Sequence, residues 1–318
     1  MSEQSSPVLP DKPKRRGPLL AAVAAAVVAV GVVVALLVRG GEDTTTTTAA
    51  GGAAQSVRIG VADKAIPYWE TYVSLARERL GVDVELVNFS DYSLPNPALA
   101  QGEIDLNQFQ HIQYLADYNV TADDDIQPIG ATAVYPLPLY STTVDDAAQF
   151  PQGAKIAIPD DAINEARGLL VLQAAGLLTL SGGGTAFSTV DDIESAKVEV
   201  IPVDASQTAN ALQSGSAAGA VVNNNYATAA NLSTDDIVYS DDPASDSAAP
   251  YVNIFAARKD DAANETYLQL AELFHDPAVQ AEFTEGYPEA VVRDTDAATL
   301  QADLAEVEED AKAAKAAG

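Results

Sequence analysis

Three short stretches carry side chains that could do chemistry where a strand ends. In "DLNQFQHIQYL", Asp105 to Leu115, one of only two histidines in 318 residues stands beside Phe109, Tyr114 and a set of glutamines. Aromatic residues make up only 6% of the chain, so rings around an imidazole are a local concentration. A catalytic base, a metal ligand, a small-molecule pocket and a plain core turn are all compatible with it. If a helix starts near Gln110, His111 and Tyr114 share a face and Phe109 lies just before it. In "PDDAINEARGLL", Arg167 follows Asn164 by one helical turn. A guanidinium takes a carboxylate through two parallel hydrogen bonds, which suits it to the acid end of an amino acid. The alternative is an ion pair with Asp160 or Asp161. The third stretch, "VVNNNYATAA", offers Asn223, Asn224 and Asn225 as amide donors and acceptors after an apolar strand, or else a simple turn. A fourth piece, "APYVNIFAARK", places Asn253 beside a strand that crosses back to the first part of the fold.

Composition removes several reaction classes. There is no cysteine, which excludes disulfides, thiolate nucleophiles, zinc ribbons and iron-sulfur ligation, and with them a lipid-modified N-terminal cysteine. No Gly-x-Ser-x-Gly elbow is present, and His275 in "LFHDP" reads as a surface helix end, so His111 has no identifiable serine partner. Two histidines at 111 and 275, without thiols, give no metal-ligand spacing. "SGGGT", Ser181 to Thr185, follows a helix instead of preceding one and is not a phosphate loop. Acidic runs such as Asp123 to Asp125 read as solvated loops and caps. A net charge of −29 leaves no spare positive surface to displace counterions from phosphates, so nucleic acid is not an expected partner. Neither a metal nor a cofactor is expected.

The elements that would position these side chains begin after a distinctive N-terminus. Residues 1–17 are polar and basic and end in "DKPKRRG"; Pro18 to Val38 carry no charge. That run would span about 30 Å as a helix, the hydrocarbon thickness of a bilayer. It is longer than the apolar part of a cleavable signal peptide, which predicts an uncleaved transmembrane signal anchor. Lys12, Lys14, Arg15 and Arg16 put its N-terminal side in the cytoplasm and the rest outside. The expected location is the cell membrane, single-pass, with the folded part extracytoplasmic. Residues 39–55, rich in Gly, Thr and Ala, read as a flexible tether with a reach of about 20 Å.

From Ser56 onward, short β-branched runs alternate with helical stretches. "SVRIGVA", "VDVELVNF" and "IDLNQF" read as strands separated by the helices "YWETYVSLARERLG" and "NPALAQG". A second set, "KIAIP", "KVEVIPV" and "GAVVN", alternates with "NEARGLLVLQAAG" and "QTANALQSG". Such alternation implies βαβ units and a largely parallel α/β sheet in each of two lobes, residues 56–137 with 250–318 and residues 138–249. Ligands of open α/β sheets sit beyond the C-terminal ends of the strands, where the quoted stretches lie.

Taken together, from about Val57 to about Val292 the chain resembles the methionine-uptake ABC-transporter substrate-binding family, also called the NlpA or lipoprotein-9 family. The matching stretches include "GVDVELVNFSDYSLPNPALAQGEIDLNQFQHIQYL", "VYPLPLYS", "GAKIAIPDDAINEARGLLVLQAAGLLTL", "VVNNNYA" and "APYVNI", in the family's order. The resemblance implies a two-lobed periplasmic-binding-protein fold of the type II kind that closes on one amino acid, L- or D-methionine or a related small one. It also implies partners: a membrane permease and its ATPase, served by a monomer. The ligand-contacting positions carried over are Tyr92, Phe109, His111 and Tyr114 around the side chain, Arg167 at the carboxylate, and Asn164, Asn223 and Asn253 at the polar end. Where the family usually reads Pro-Asn-Asp-Pro, this chain has Pro159, Asp160, Asp161 and Ala162, so Asp160 and Ala162 are departures, and Ala166 stands in place of glycine. The first βα turn, "VADKAIPYWETY", is unusual, and Trp69 is expected to reach the cleft. A carboxylate at Asp160 would compete for Arg167 or favour a more cationic ligand. The alternative function is a membrane-anchored amino-acid sensor or scaffold; an exported enzyme using Asp160 or His111 lacks a nucleophile.

Overall fold

The computed structural model describes residues 55–317. The basic segment 1–17, the apolar run 18–38 and nearly all of the tether 39–55 lie outside the described residues. Among the described residues no helix is long and apolar enough to cross a membrane.

Up to Val134 the strands are β1 (Gln55–Val61), β2 (Val82–Asn88), β3 (Leu106–His111) and β4 (Gln127–Val134). Helices α1 (Tyr68–Leu75), α2 (Pro95–Ala100) and α3 (Ile112–Ala122) connect them. After a crossover at 135–138 come β5 (Leu139–Tyr140), β6 (Lys155–Pro159), β7 (Leu178–Leu180), β8 (Ile193–Ala196), β9 (Glu199–Val203), β10 (Gly219–Val221) and β11 (Ile237–Tyr239). Their helices are α4 (Ala162–Ala174), α5 (Thr208–Gln213) and α6 (Asn224–Ala229). The chain returns through 240–251 to β12 (Val252–Ala257) and β13 (Val291–Val292), with α7 (Glu265–Leu273), α8 (Pro277–Gly286) and α9 (Ala297–Ala317).

Two main sheets result, ordered β13-β4-β12-β3-β1-β2 and β11-β5-β10-β6-β9. The expected parallel pairing holds in the middle of each: β1 with β2 and β3, and β6 with β9 and β10. Strands at and after the crossovers run antiparallel, β12 against both β3 and β4, and β5 against β10. Parallel strands are buried on both faces, and β3 accordingly has five of six residues buried, polar ones included.

Packing explains why the chain folds this way. In β1, Val57, Ile59 and Val61 alternate into a core that also takes Tyr68, Trp69 and Tyr72 from α1 and Phe274 and Phe283 from the C-terminal part. These rings meet edge to face, Tyr68 against Phe283 at 5.4 Å and Trp69 against Tyr72 at 5.2 Å, the arrangement the ring quadrupole prefers. Trp69 is therefore a core residue, 1% exposed, and not the cleft residue its rarity suggested. The π-helical turn that continues α1 stops at Gly81, whose φ of 68° closes it in the left-handed region where glycine costs least. On the other face, Leu300 and Leu304 of α9 pack with Leu115 and Ile254.

Candidate functional site

The parallel strands of both sheets deliver their C-terminal ends to one cavity, the edge at which open α/β sheets take ligands. All eight residues singled out from the sequence line it: Tyr92, Phe109, His111, Tyr114, Asn164, Arg167, Asn223 and Asn253. Tyr92 comes from the loop after β2, Phe109 and His111 from β3, Tyr114 from the first turn of α3, Asn164 and Arg167 from α4, Asn223 from the N-cap of α6 just after β10, and Asn253 from β12.

His111 differs in detail from the expected helix face. Strand β3 continues through it, because Asn253 of β12 pairs with it, and α3 starts only at Ile112. His111 thus caps α3, its Nδ1 accepting from the Tyr114 amide at 3.2 Å. In the neutral ring that leaves the proton on Nε2. Burial first, and then the nearby Arg167 charge, push its pKa down to about 3, so it is an uncharged wall and no acid-base catalyst near neutrality. A buried amide network fixes the strand end behind it: Gln110 and Asn96 exchange hydrogen bonds at 2.7 Å, and both engage Asn107.

The rings form a row. His111 and Tyr114 are 6.3 Å apart between centroids, Tyr114 and Phe109 5.8 Å, and Phe109 and Tyr92 5.9 Å. Tyr226 joins Tyr92 at 5.1 Å from the second sheet's side. Tyr92 also donates its hydroxyl to Asn225, so the two lobes touch across the cleft.

Arg167 is paired, though with neither expected aspartate. Its Nε and Nη2 donate to Asp241 at 3.0 and 2.7 Å, and Nη2 also donates to the Tyr135 carbonyl at 2.8 Å. The guanidinium carbon sits 4.2 Å from the Tyr251 ring centroid, within cation-π range. Its Nη1 group has no protein acceptor among the described residues. Asp161 instead caps α4, accepting from the Asn164 amide and side-chain Nδ2, each at 3.0 Å. Asp160 is exposed and does not line the cavity, so it neither competes for Arg167 nor acts in the cleft. His275, read as a surface end, is half-buried with Nε2 3.0 Å from the Ala131 carbonyl.

Asn223 carries the most telling polar atom. Its Nδ2 donates to Asn164 Oδ1 at 3.1 Å, while its buried Oδ1 has no partner. An unsatisfied buried acceptor costs about 1–3 kcal/mol, and one facing a cavity calls for a donor from a ligand. Residues the sequence reading did not assign also line the space: Asp63, Tyr135, Asn224, Asn225 and Tyr287 among them. Asp63 had a usable signal, since it follows β1 just as His111 ends β3. Tyr287 had none, because it arrives after α8, far along the chain.

The profile of the family described as "NlpA lipoprotein" matches residues 57–294. The D-methionine-binding lipoprotein MetQ of Escherichia coli (strain K12) is 34% identical over 213 residues, 66% of this chain and 77% of that protein. A solved structure of the substrate binding protein of a methionine transporter from Streptococcus pneumoniae superposes with a TM-score of 0.69 at 30% identity, covering 75% of this chain and 95% of that one. A nutrient binding protein from Burkholderia cenocepacia, solved bound to methionine, also gives 0.69, at 32% identity over 74% of this chain and 99% of its own.

Proposed function

The chain belongs to the NlpA lipoprotein family, and from that premise we propose that it is the extracytoplasmic substrate-binding protein of an ABC importer. It takes methionine, L or D, or a related small amino acid into the cleft and delivers it to the permease and its ATPase. The observation that carries this reading is the convergence, in one cavity, of a buried guanidinium, a row of rings and an orphaned amide oxygen.

The roles follow from the chemistry of each group. Arg167, with Nη1 still available, meets the ligand carboxylate at the end where Tyr251 and Asp241 hold its plane. The ammonium supplies the donor that Asn223 Oδ1 lacks, with Asn164 and Asn253 beside it. Tyr92, Phe109, His111 and Tyr114 enclose the side chain. Sulfur against aromatic rings gains about 0.3–1.5 kcal/mol per contact, so a thioether suits this wall. A neutral His111 adds no charge that an apolar side chain would have to desolvate.

The two lobes are residues 56–137 with 250–318 and residues 138–249, and they close around the ligand as a monomer. With no cysteine to carry a lipid, the apolar run 18–38 serves as a single-pass anchor that holds the folded part outside the cell. Isothermal titration with a panel of amino acids, on protein unfolded and refolded to strip carried-over ligand, tests the reading. Micromolar or tighter binding of methionine or a close relative is expected; binding of none of the panel removes it.

A further inference from the structure

Asp63 is a charged cavity residue to which the reading above gives no task. It stands in the turn after β1, and its two oxygens are held by three neutral donors. Trp69 Nε1 donates to Oδ1 at 2.7 Å, and the Tyr68 and Tyr287 hydroxyls donate to Oδ2 at 3.0 Å each. Donors alone suit an ionised carboxylate, which only accepts, and three bonds leave about one of its four lone-pair directions open. Among the described residues no Lys or Arg side-chain nitrogen lies within 4.0 Å of its carboxylate oxygens, and the Nζ of the adjacent Lys64 donates to the Leu86 carbonyl instead. Burial pushes the carboxyl up from its usual range, and the three hydrogen bonds work against that shift. A half-buried carboxylate held by neutral donors, with no cation against it, is an electrostatic demand on whatever fills the cavity.

Charge accounting around the cleft leaves that demand unmet by a simple zwitterion. Arg167 is matched by Asp241 and His111 is neutral. The ligand's own carboxylate and ammonium cancel, and the ammonium already has Asn223 Oδ1. Asp63 has links toward both ends of the cleft: its partner Tyr287 meets the ring of Tyr135, whose carbonyl holds Arg167, at 5.0 Å, and the turn that carries it also reaches the opposite end. Arg167 lies over Tyr251, whose ring is 5.2 Å from His111, at one end of the ring row. At the other end Tyr92 bonds Asn225, whose Nδ2 donates at 3.4 Å to the carbonyl of Ala62, the residue before Asp63. Outside the cavity, a separate hollow that shares Tyr92 and Tyr114 with it is bordered by Asp91, Asp161 and Asp204, so the neighbouring surface on that side is acidic.

We propose that Asp63 is a specificity-determining residue that faces the side-chain end of the ligand and selects amino acids whose side chain carries a positive charge. The proposal rests on the reading of the cleft as an amino-acid site and names the ligand class within it. Tyr287, which lines the cavity beside Asp63, reinforces the choice, since aromatic rings attract a desolvated cation.

Titration calorimetry on the wild-type chain and on Asp63→Asn, with L-methionine, its S-methyl sulfonium derivative and L-lysine, tests it. In the wild type at least one of the two cationic ligands is expected to bind as tightly as methionine or tighter. Asp63→Asn is expected to weaken that ligand by about tenfold or more while changing methionine by less than about threefold. Methionine binding well with both cations about tenfold weaker in the wild type overturns the proposal alone, and needs no variant. Equal loss for methionine and the cations in Asp63→Asn also overturns it, placing the carboxylate at the ammonium or in a purely structural tie between the β1 turn and Tyr287. Binding of none of the three sinks the amino-acid reading and the proposal together.

Discussion

A guanidinium that is 6% exposed on its side chain and shared between Asp241 and a backbone carbonyl is a fixed donor, and fixed donors lose little entropy on binding. Truncating Arg167 to Ala is expected to weaken methionine binding by about 2 kcal/mol or more, the usual cost of removing one partner of a buried charge-assisted contact. Unchanged affinity by calorimetry would remove Arg167 from the site. His111 gives a pH signature with a definite sign. Unfolded, it binds a proton near pH 6.5; folded, it stays neutral to about pH 3. The unfolded chain therefore holds the extra proton between those values, and stability falls as pH drops through that window. His111→Asn keeps an acceptor suited to capping α3, so its unfolding free energy in urea should lose less than the wild type's between pH 7 and pH 4. Parallel pH profiles would mean that His111 does charge in the native state. The ring and guanidinium positions were legible because residue type restricts them: few side chains offer a planar fork or a π-face, and they stood at strand ends. The place of Asp63 after β1 was legible too, but its direction was not, since an aspartate in a βα turn usually faces water, and only the arrival of Trp69 and two tyrosines turns it toward the cavity.

At the scale of elements, the start of α4 sets the polar end of the cleft. Asp161 accepts from the Asn164 amide as an N-cap and from the Asn164 side chain at the same time, while Asn164 Oδ1 takes Asn223 Nδ2. One carboxylate therefore holds both a helix terminus and two cleft amides. Asp161→Ala is expected to cost about 0.5–2 kcal/mol of stability through the lost cap, measured by denaturant unfolding, and to weaken methionine binding as the amides lose their orientation. Loss of stability with full affinity would confine Asp161 to the cap. The strand-helix alternation was readable because period-2 and period-3.6 patterns are local. The junction at His111 was misplaced by two residues for a nonlocal reason: pairing with Asn253 of β12, brought in from the far end of the chain, extends β3 to that point. The antiparallel strands flanking each parallel core escaped notice likewise, since direction follows from crossovers and not from pattern.

For the whole molecule, two crossovers join the two sheets, and Asp241 ties one crossover to the other. From the returning crossover its Oδ1 accepts from the Leu137 amide of the outgoing one at 2.6 Å, while Oδ2 holds Arg167 of α4. Partners 104 and 74 residues away could not be read from the sequence, which offered only the nearer Asp160 and Asp161. The geometry ties ligand charge to the stability of this junction. A ligand at 100 times its Kd adds about 2.7 kcal/mol to the native state, which for a folded part of this size raises Tm by roughly 5–10 °C. In Asp241→Asn the guanidinium loses its anion and stays buried, so the ligand-free protein should melt lower than the wild type. The ligand carboxylate then supplies the missing charge, and the Tm gain at the same free methionine concentration should exceed the wild-type gain because the affinity itself rises. Differential scanning fluorimetry at matched free ligand concentration measures both gains. A smaller gain in Asp241→Asn would mean that Asp241 is needed to present Arg167 to the ligand, and that the carboxylate of the amino acid adds to this ion pair without being able to stand in for it.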